Sequence, residues 1–207
     1  MTPYYQDDLV TIYHGDARDV LPTLTYDAIL SDPPYGIDYD PLHGGNGSKM
    51  WGTTRVTGDD QAFDPAFLLG APAILWGANH YANRLPASGG WLVWDKTPRG
   101  IREGFIASHA ELAWTNATTR VHKFALEWQG NLRNGEGFHH PTQKPIALLR
   151  WCLGFLDGLV IDPFTGSGST LVAAKDVGRQ AIGIEIEERW CEVAANRCSQ
   201  EVLGLSA

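Results

Sequence analysis

The run Leu159-Val-Ile-Asp162-Pro-Phe-Thr-Gly166-Ser-Gly168-Ser-Thr-Leu-Val-Ala-Ala constrains the fold more than any other part of the chain. An apolar stretch ending in an acid, a glycine pair and a helix-forming tail read as strand, tight turn and helix, and the next apolar stretch, Ala181-Ile-Gly-Ile-Glu185, reads as a second strand parallel to the first. Gly166 and Gly168 let the backbone come close to a ligand, and Ser169 or Thr170 suits the helix cap. Leu171 stands where a dinucleotide fingerprint carries its third glycine. That disfavours a pyrophosphate and favours a nucleoside ligand without phosphates. Glu185, 19 residues after Gly166, ends the second strand, where a carboxylate accepts bonds from two ribose hydroxyls.

The rest of the chain extends this pattern. Further strand-like runs are Val10–Tyr13, Ala28–Leu30, Ala73–Trp76, Trp91–Trp94 and Glu111–Trp114, and helical patterns cover Asp64–Leu69, Ile146–Leu153, Ser169–Lys175 and Glu187–Asn196. Several strands are continuously apolar, as expected where both faces are covered. The alternation predicts an α/β fold with a doubly wound, mostly parallel sheet. Two stretches interrupt it. Residues 36–58 are too rich in glycine to pack as an element, and residues 116–140 are polar, with Gly130, Gly135 and Gly137. Both read as surface loops, since long loops in small domains tend to bind ligands. The expectation is one domain over 1–207 with two short excursions and no large recognition domain.

Ala28-Ile-Leu is followed almost at once by Asp32-Pro33-Pro34-Tyr35. Two prolines fix φ at successive positions and remove two backbone donors. What remains is a rigid edge of acceptors, the Asp32 carboxylate and the Pro33 carbonyl, beside an aromatic ring. An exocyclic amino group offers two hydrogens to such an edge, and the flat ring that bears it can stack on Tyr35. A Pro-Pro turn closing a strand is the alternative for these four residues.

Composition narrows the classes. No apolar run approaches the roughly 20 residues of a membrane span, and the N-terminus lacks a signal peptide's basic start and apolar core. Cys152, Cys191 and Cys198 form no CxxC pair, so reduced thiols in a cytoplasm are expected. No metal-ligand spacing is present, His139-His140 beside Pro141 being a poor pair. The net charge of −8 argues against nucleic acid, but residues 96–144 carry seven Lys or Arg against four acids, +3 in a chain otherwise at −11.

DPPY upstream, HPTQKP at His140–Pro145 and DPFTGSGST downstream together resemble the amino-group DNA methyltransferases that use S-adenosyl-L-methionine. Having the catalytic motif before the cofactor motif is similar to the beta group of that family, which makes N6-methyladenine or N4-methylcytosine. The resemblance covers nearly the whole chain and implies a Rossmann-like methyltransferase fold. It implies that Asp32, Pro33, Pro34 and Tyr35 are catalytic. It assigns Asp162, Phe164, Gly166, Ser167 and Gly168 to the loop around the cofactor's methionine part, with Asp32 adjoining, and Glu185 to the ribose. Asp16 and Ala17, in His14-Gly15-Asp16-Ala17, match the adenine-binding segment, and Thr142 and Lys144 the groups that hold the methionine carboxylate. An exposed lysine before a helix is the plain alternative for Lys144, and a helix cap for Asp16.

The chemistry the resemblance implies is physically coherent. A ring-conjugated amino nitrogen is a poor nucleophile, and accepting bonds from both its N–H groups localises its lone pair. In-line displacement at the sulfonium follows, with orientation supplying much of the rate. The base must leave the duplex, and Tyr35 would stack on it. Asn79, His80 and Trp94 match later strands of the family as base-pocket residues, with strand-end packing as the alternative. Lys49, Arg55, Lys96, Arg99 and Arg102 are the candidate phosphate contacts. DPPY resembles adenine enzymes more than cytosine enzymes, so adenine-N6 methylation is expected, with cytosine-N4 next. A non-DNA methyltransferase or an inactive cofactor-binding relative is the remaining alternative. Double-stranded DNA is the expected partner, with no metal, a homodimer or a separate restriction endonuclease as further partners, and the cytoplasm of a bacterium or a phage-infected cell as the location.

Overall fold

The strand-forming runs of the sequence pair into one mixed sheet. The computed structural model describes residues 1–39, 55–101, 108–128, 136–137, 139–140 and 142–200. The strands are β1 (Tyr5–Gln6), β2 (Val10–His14), β3 (Ala28–Ser31), β4 (Ala73–Trp76), β5 (Gly90–Asp95), β6 (Ala110–Thr115), β7 (Val121–Ala125), β8 (Val160–Asp162) and β9 (Ala181–Glu185). The helices are α1 (Ala17–Val20), α2 (Ile146–Leu153), α3 (Ser169–Asp176) and α4 (Glu188–Ser199). The strand order is β1-β2-β9-β8-β3-β4-β6-β5-β7.

Pairings β2–β9, β9–β8, β8–β3, β3–β4 and β5–β7 are parallel, whereas β6 runs antiparallel to both its neighbours. β6 therefore begins at the edge where the parallel strands end. From β8 the chain moves outward to β9, and from β3 it moves the opposite way to β4. The topological switch point thus lies between β8 and β3, where open α/β sheets bind ligands beyond the carboxyl ends of their strands.

Both faces are covered, as the apolar strands required. Ala28, Leu30, Ile74 and Trp76 pack with Leu148, Cys152, Leu171, Ala174 and Ala194 from α2, α3 and α4. Ile29, Leu75, Ile161 and Ile184 face the other way, onto Val20, Phe63, Leu68 and Tyr81. Leu30, Ile29, Ile74 and Leu75 have no exposed surface. Each such side chain contributes about 1.5–3 kcal/mol by leaving water.

Three sequence readings change. Residues 116–140 are not wholly irregular, because β7 lies inside them. Its Val121-His-Lys-Phe-Ala run is polar because it is an edge strand, paired among the described residues with β5 alone and alternately exposed. The Asp64–Leu69 pattern forms only a 3₁₀ turn at Ala66–Leu68, preceded by a bond from the Ala66 amide to Asp64 Oδ1 at 3.1 Å. Neither Ser169 nor Thr170 caps α3, where Gly168 is the N-cap at φ +80°. A Cβ there would meet Ala194 at 2.8 Å, so only glycine lets α3 and α4 approach this closely.

Candidate active site

Strand ends on either side of the switch point carry the groups singled out in the sequence. Asp162, ending β8, is buried and its Oδ1 accepts from Ser31 Oγ at 2.7 Å and from the Phe164 amide at 3.1 Å. Burial pushes its carboxyl up to about 6, against the bonds from Thr170, Ser31 and Phe164 that pull it down. On neighbouring β9, Glu185 accepts from the Gly166 amide at 2.8 Å and the Glu187 amide at 2.8 Å. Burial raises its pKa too. His14 pairs in register with Glu185, so Asp16 follows β2 at the same edge. Asp16 caps α1 by accepting from the Arg18 amide at 2.8 Å, the structural alternative the sequence allowed, and Ala17 is buried behind it.

Around the glycine loop, Phe164 packs edge-on against Phe63 and Phe67. Arg197 Nη1, on α4, donates to Ser167 O at 2.7 Å and to the hydroxyl oxygens of Ser167 and Ser169, each at 3.1 Å. His140 lies 4.4 Å from Trp190, centroid to centroid, and burial drops its pKa to about 4, so the ring is neutral at physiological pH. Thr142 Oγ1 is 3.1 Å from His140 Nδ1.

Asp32-Pro-Pro-Tyr35 leaves β3 next to this loop. Tyr35 OH donates to Asp32 Oδ1 at 2.6 Å, and Lys144 Nζ donates to Asp32 Oδ2 at 2.5 Å and to Tyr35 OH at 3.0 Å. Lys144 is therefore no exposed lysine. Its side chain is 7% exposed, and its ammonium also stands 3.2 Å from Glu111 Oε2. Glu111 Oε1 in turn accepts from Lys96 Nζ at 2.8 Å. Burial alone would lower the Lys144 pKa, but Asp32 and Glu111 hold its charge and raise it. Burial would raise Glu111, yet Lys144 and Lys96 keep it down at about 2. Burial, helped by the negative charge of Glu111, raises Asp32 against the pull of Lys144. Burial and the Asp32 charge push Tyr35 well above its ordinary value.

The Tyr35 ring stacks on the His80 ring at 5.1 Å and 12°. His80 and exposed Asn79 sit on the turn after β4, which brings His80 against Tyr35. Trp94 instead belongs to the core, 1% exposed, with its indole N–H on Leu126 O at 3.2 Å. Contrary to the expectation of a phosphate contact, Lys96 does not face solvent but is buried against Glu111 and over the Trp94 ring, because β6 brings a carboxylate opposite the end of β5. Arg55 pairs with Asp38 on the surface, and Arg99 is exposed beyond β5. Lys49 and Arg102 lie outside the described residues.

Sequence reasoning missed Ser31, Glu111 and Arg197. Glu111 carried a signal, a lone acid opening an otherwise apolar strand. Ser31 and Arg197 gave none, since each acts across 131 and about 30 residues of sequence.

Over residues 93–196, just over half of the chain, the sequence matches the family model of the N6/N4 methyltransferases, described as DNA methylase. The chain belongs to the DNA methylase family. The matched segment takes in Glu111, Lys144 and the glycine loop, with Asp32–Tyr35 upstream of it. Among relatives, the type II methyltransferase M.ScaI of Streptomyces caespitosus is 25% identical over 264 positions, covering 98% of this methylase and 86% of the relative. That alignment is longer than the 207-residue chain, so the relative carries segments this methylase lacks. The M1.HpyAVI–SAM complex superposes with a TM-score of 0.56 at 21% identity, over 92% of this chain and all of the other. The cytosine-N4-specific PvuII DNA methyltransferase gives 0.60 at 14% identity, over 97% and 90%. These likenesses establish the methyltransferase fold of the mostly parallel sheet.

Proposed function

We propose that this DNA methylase transfers a methyl group from S-adenosyl-L-methionine to the exocyclic N6 of an adenine turned out of double-stranded DNA. The observation that carries the reading is the adjacency of the Asp32–Tyr35 acceptor edge to Asp162 across the switch point, linked by the Ser31–Asp162 bond.

The residues present suit that cofactor. Asp16, Asp162 and Glu185 line one edge of strand ends, a set of acceptors that repels phosphates and attracts hydroxyls, an ammonium and a sulfonium. Glu185 would hold the ribose, Asp16 and Ala17 the adenine, and Asp162, Phe164, Gly166, Ser167 and Gly168 the methionine part, with Thr142 at its carboxylate, while the Lys144 ammonium stays with Asp32, Tyr35 and Glu111. The bound cofactor supplies an electrophilic methyl group.

The chain's own residues do the remaining work. Asp32 and the Pro33 carbonyl accept from the target amino group and localise its lone pair. Asp32 receives the proton that becomes acidic as the new N–C bond forms. Tyr35, already aligned by its bond to Asp32, offers a ring face to the extruded base. An Asp before Pro-Pro-Tyr resembles the adenine enzymes, which favours N6 over cytosine N4.

The test is product analysis. The protein is incubated with S-adenosyl-L-methionine and unmethylated duplex DNA, which is then digested to nucleosides for mass spectrometry. N6-methyladenine is expected. N4-methylcytosine in its place replaces the base assignment, and no methylated nucleoside from a protein that binds the cofactor overturns the reading.

A further inference from the structure

Glu111 belongs to none of the motifs that mark the site, yet it stands between both of its buried lysines. It is there because β6 runs against its neighbours and opens at the edge where β3, β4 and β5 end. Its Oε1 takes a full hydrogen bond from Lys96, while its Oε2 is buried, 3.2 Å from the Lys144 ammonium and without a well-formed hydrogen bond. Lys144 spends its shorter bond on Asp32, at 2.5 Å.

This arrangement conflicts with amino-group chemistry. A lysine ammonium and an exocyclic amino group are both N–H donors, and Asp32 Oδ2 already has a cation on it. The base must take that acceptor from Lys144. A buried ammonium that gives up its partner without finding another is strongly unfavourable. One carboxylate oxygen within reach, Glu111 Oε2, has unused accepting capacity, and Lys144 and Lys96 together keep that carboxylate ionised.

We infer that Glu111, backed by Lys96, is a positioning residue for methyl transfer: it takes over the Lys144 ammonium when the target amino group replaces Lys144 on Asp32. Glu111 touches neither base nor cofactor. It acts through Lys144, keeping the acceptor edge exchangeable. The inference rests on the base-methylation reading above.

The test uses Glu111→Gln in the full chain at saturating cofactor. Lys144 then has Asp32 as its sole carboxylate partner among the described residues and blocks the acceptor more firmly. The expected kcat/KM for DNA falls by about 30-fold or more, while the cofactor dissociation constant stays within about threefold. Glu111→Asp, which keeps the charge, retains more activity than Glu111→Gln. Adding Lys144→Met to Glu111→Gln recovers about tenfold, because the blocking cation is gone, a rescue that a purely structural role does not give. Glu111→Gln at wild-type activity, or a double variant no better than the single one, overturns the inference. Should the variants not fold, the wild-type crystal structure with S-adenosylhomocysteine and duplex DNA decides. Lys144 hydrogen-bonded to Glu111 and more than about 4 Å from Asp32 supports the handover, and Lys144 still on Asp32 beside an extruded base overturns it. A wild-type protein that binds cofactor but methylates no base defeats the underlying reading instead, and is distinguished by that result.

Discussion

The hydroxyl of Ser31, closing β3, donates to Asp162 Oδ1, closing β8, at 2.7 Å and across 131 residues of sequence. Both groups are buried. The bond ties the strand that delivers Asp32 to the strand that delivers the glycine loop. The two halves of the site are thereby held as one unit, although the chain makes them at opposite ends of the domain.

Removing that bond tests the coupling. Ser31→Ala leaves the Asp162 carboxylate with the bonds from Thr170 and the Phe164 amide. A bond to a carboxylate of this kind is worth about 1.5–3 kcal/mol. Denaturant unfolding of Ser31→Ala should show a loss in that range near neutral pH, and unchanged stability would refute the link.

The buried acid itself predicts a pH signature. Asp162 sits at about 6 when folded, against 3.8 as the ordinary value. Between those values the folded chain binds a proton that the unfolded chain releases, so this group's contribution to stability declines as pH rises through the window and is flat above it. Two units correspond to roughly 3 kcal/mol at most. Asp162→Asn keeps the acceptor oxygen for Ser31 and Phe164 and removes the charge. Its stability minus that of the wild type should grow between about pH 4 and 6 and then level off. His140, held neutral at about 4 by burial, titrates in the same window with the opposite sign and cancels in that difference. A difference that does not change with pH refutes the assignment.

How much of this was legible beforehand follows from where each interaction lives. The βαβ unit around Gly166 and Gly168 and the apolar strands are local patterns, and each is present as read, whereas the Asp32 carboxylate is found holding Tyr35 and Lys144. Edge strand β7 was hidden because an edge strand is allowed to be polar. Lys96 reads as a phosphate contact from the local sequence, and the antiparallel run of β6 is what brings Glu111 to it. The charge network joins residues from four separate segments, and no one-dimensional spacing encodes such a meeting.

Asp32→Ala separates binding from chemistry. The substitution removes the acceptor and leaves Lys144 with Glu111. Methyl transfer should fall by at least about 100-fold, a loss of the size seen when one charge-stabilising group is removed from an active site. Cofactor affinity, measured by calorimetric titration, should change little. Equal loss of both would sink the assignment of Asp32 to the amino group.

Gly77 supports the stacking ring in a way no other residue can. It follows β4 at φ +69°, and a Cβ built on it would lie 1.9 Å from Tyr35 Cε1 and 2.2 Å from Cδ1. Gly77→Ala must therefore push the ring off its place beside His80 and pull the Tyr35 hydroxyl from Asp32. The backbone conformation adds a cost of about 1–2 kcal/mol for any residue with a Cβ. The core of β4, Ala73–Trp76, is untouched, so the variant should fold with a lowered Tm and bind cofactor within about threefold of the wild type. Methyl transfer, which needs both the ring face and the aligned carboxylate, should fall by about tenfold or more. The measurement is kcat for DNA at saturating cofactor beside the thermal unfolding midpoint. A variant that loses stability yet keeps full kcat removes Tyr35 from the reaction and leaves it a packing residue.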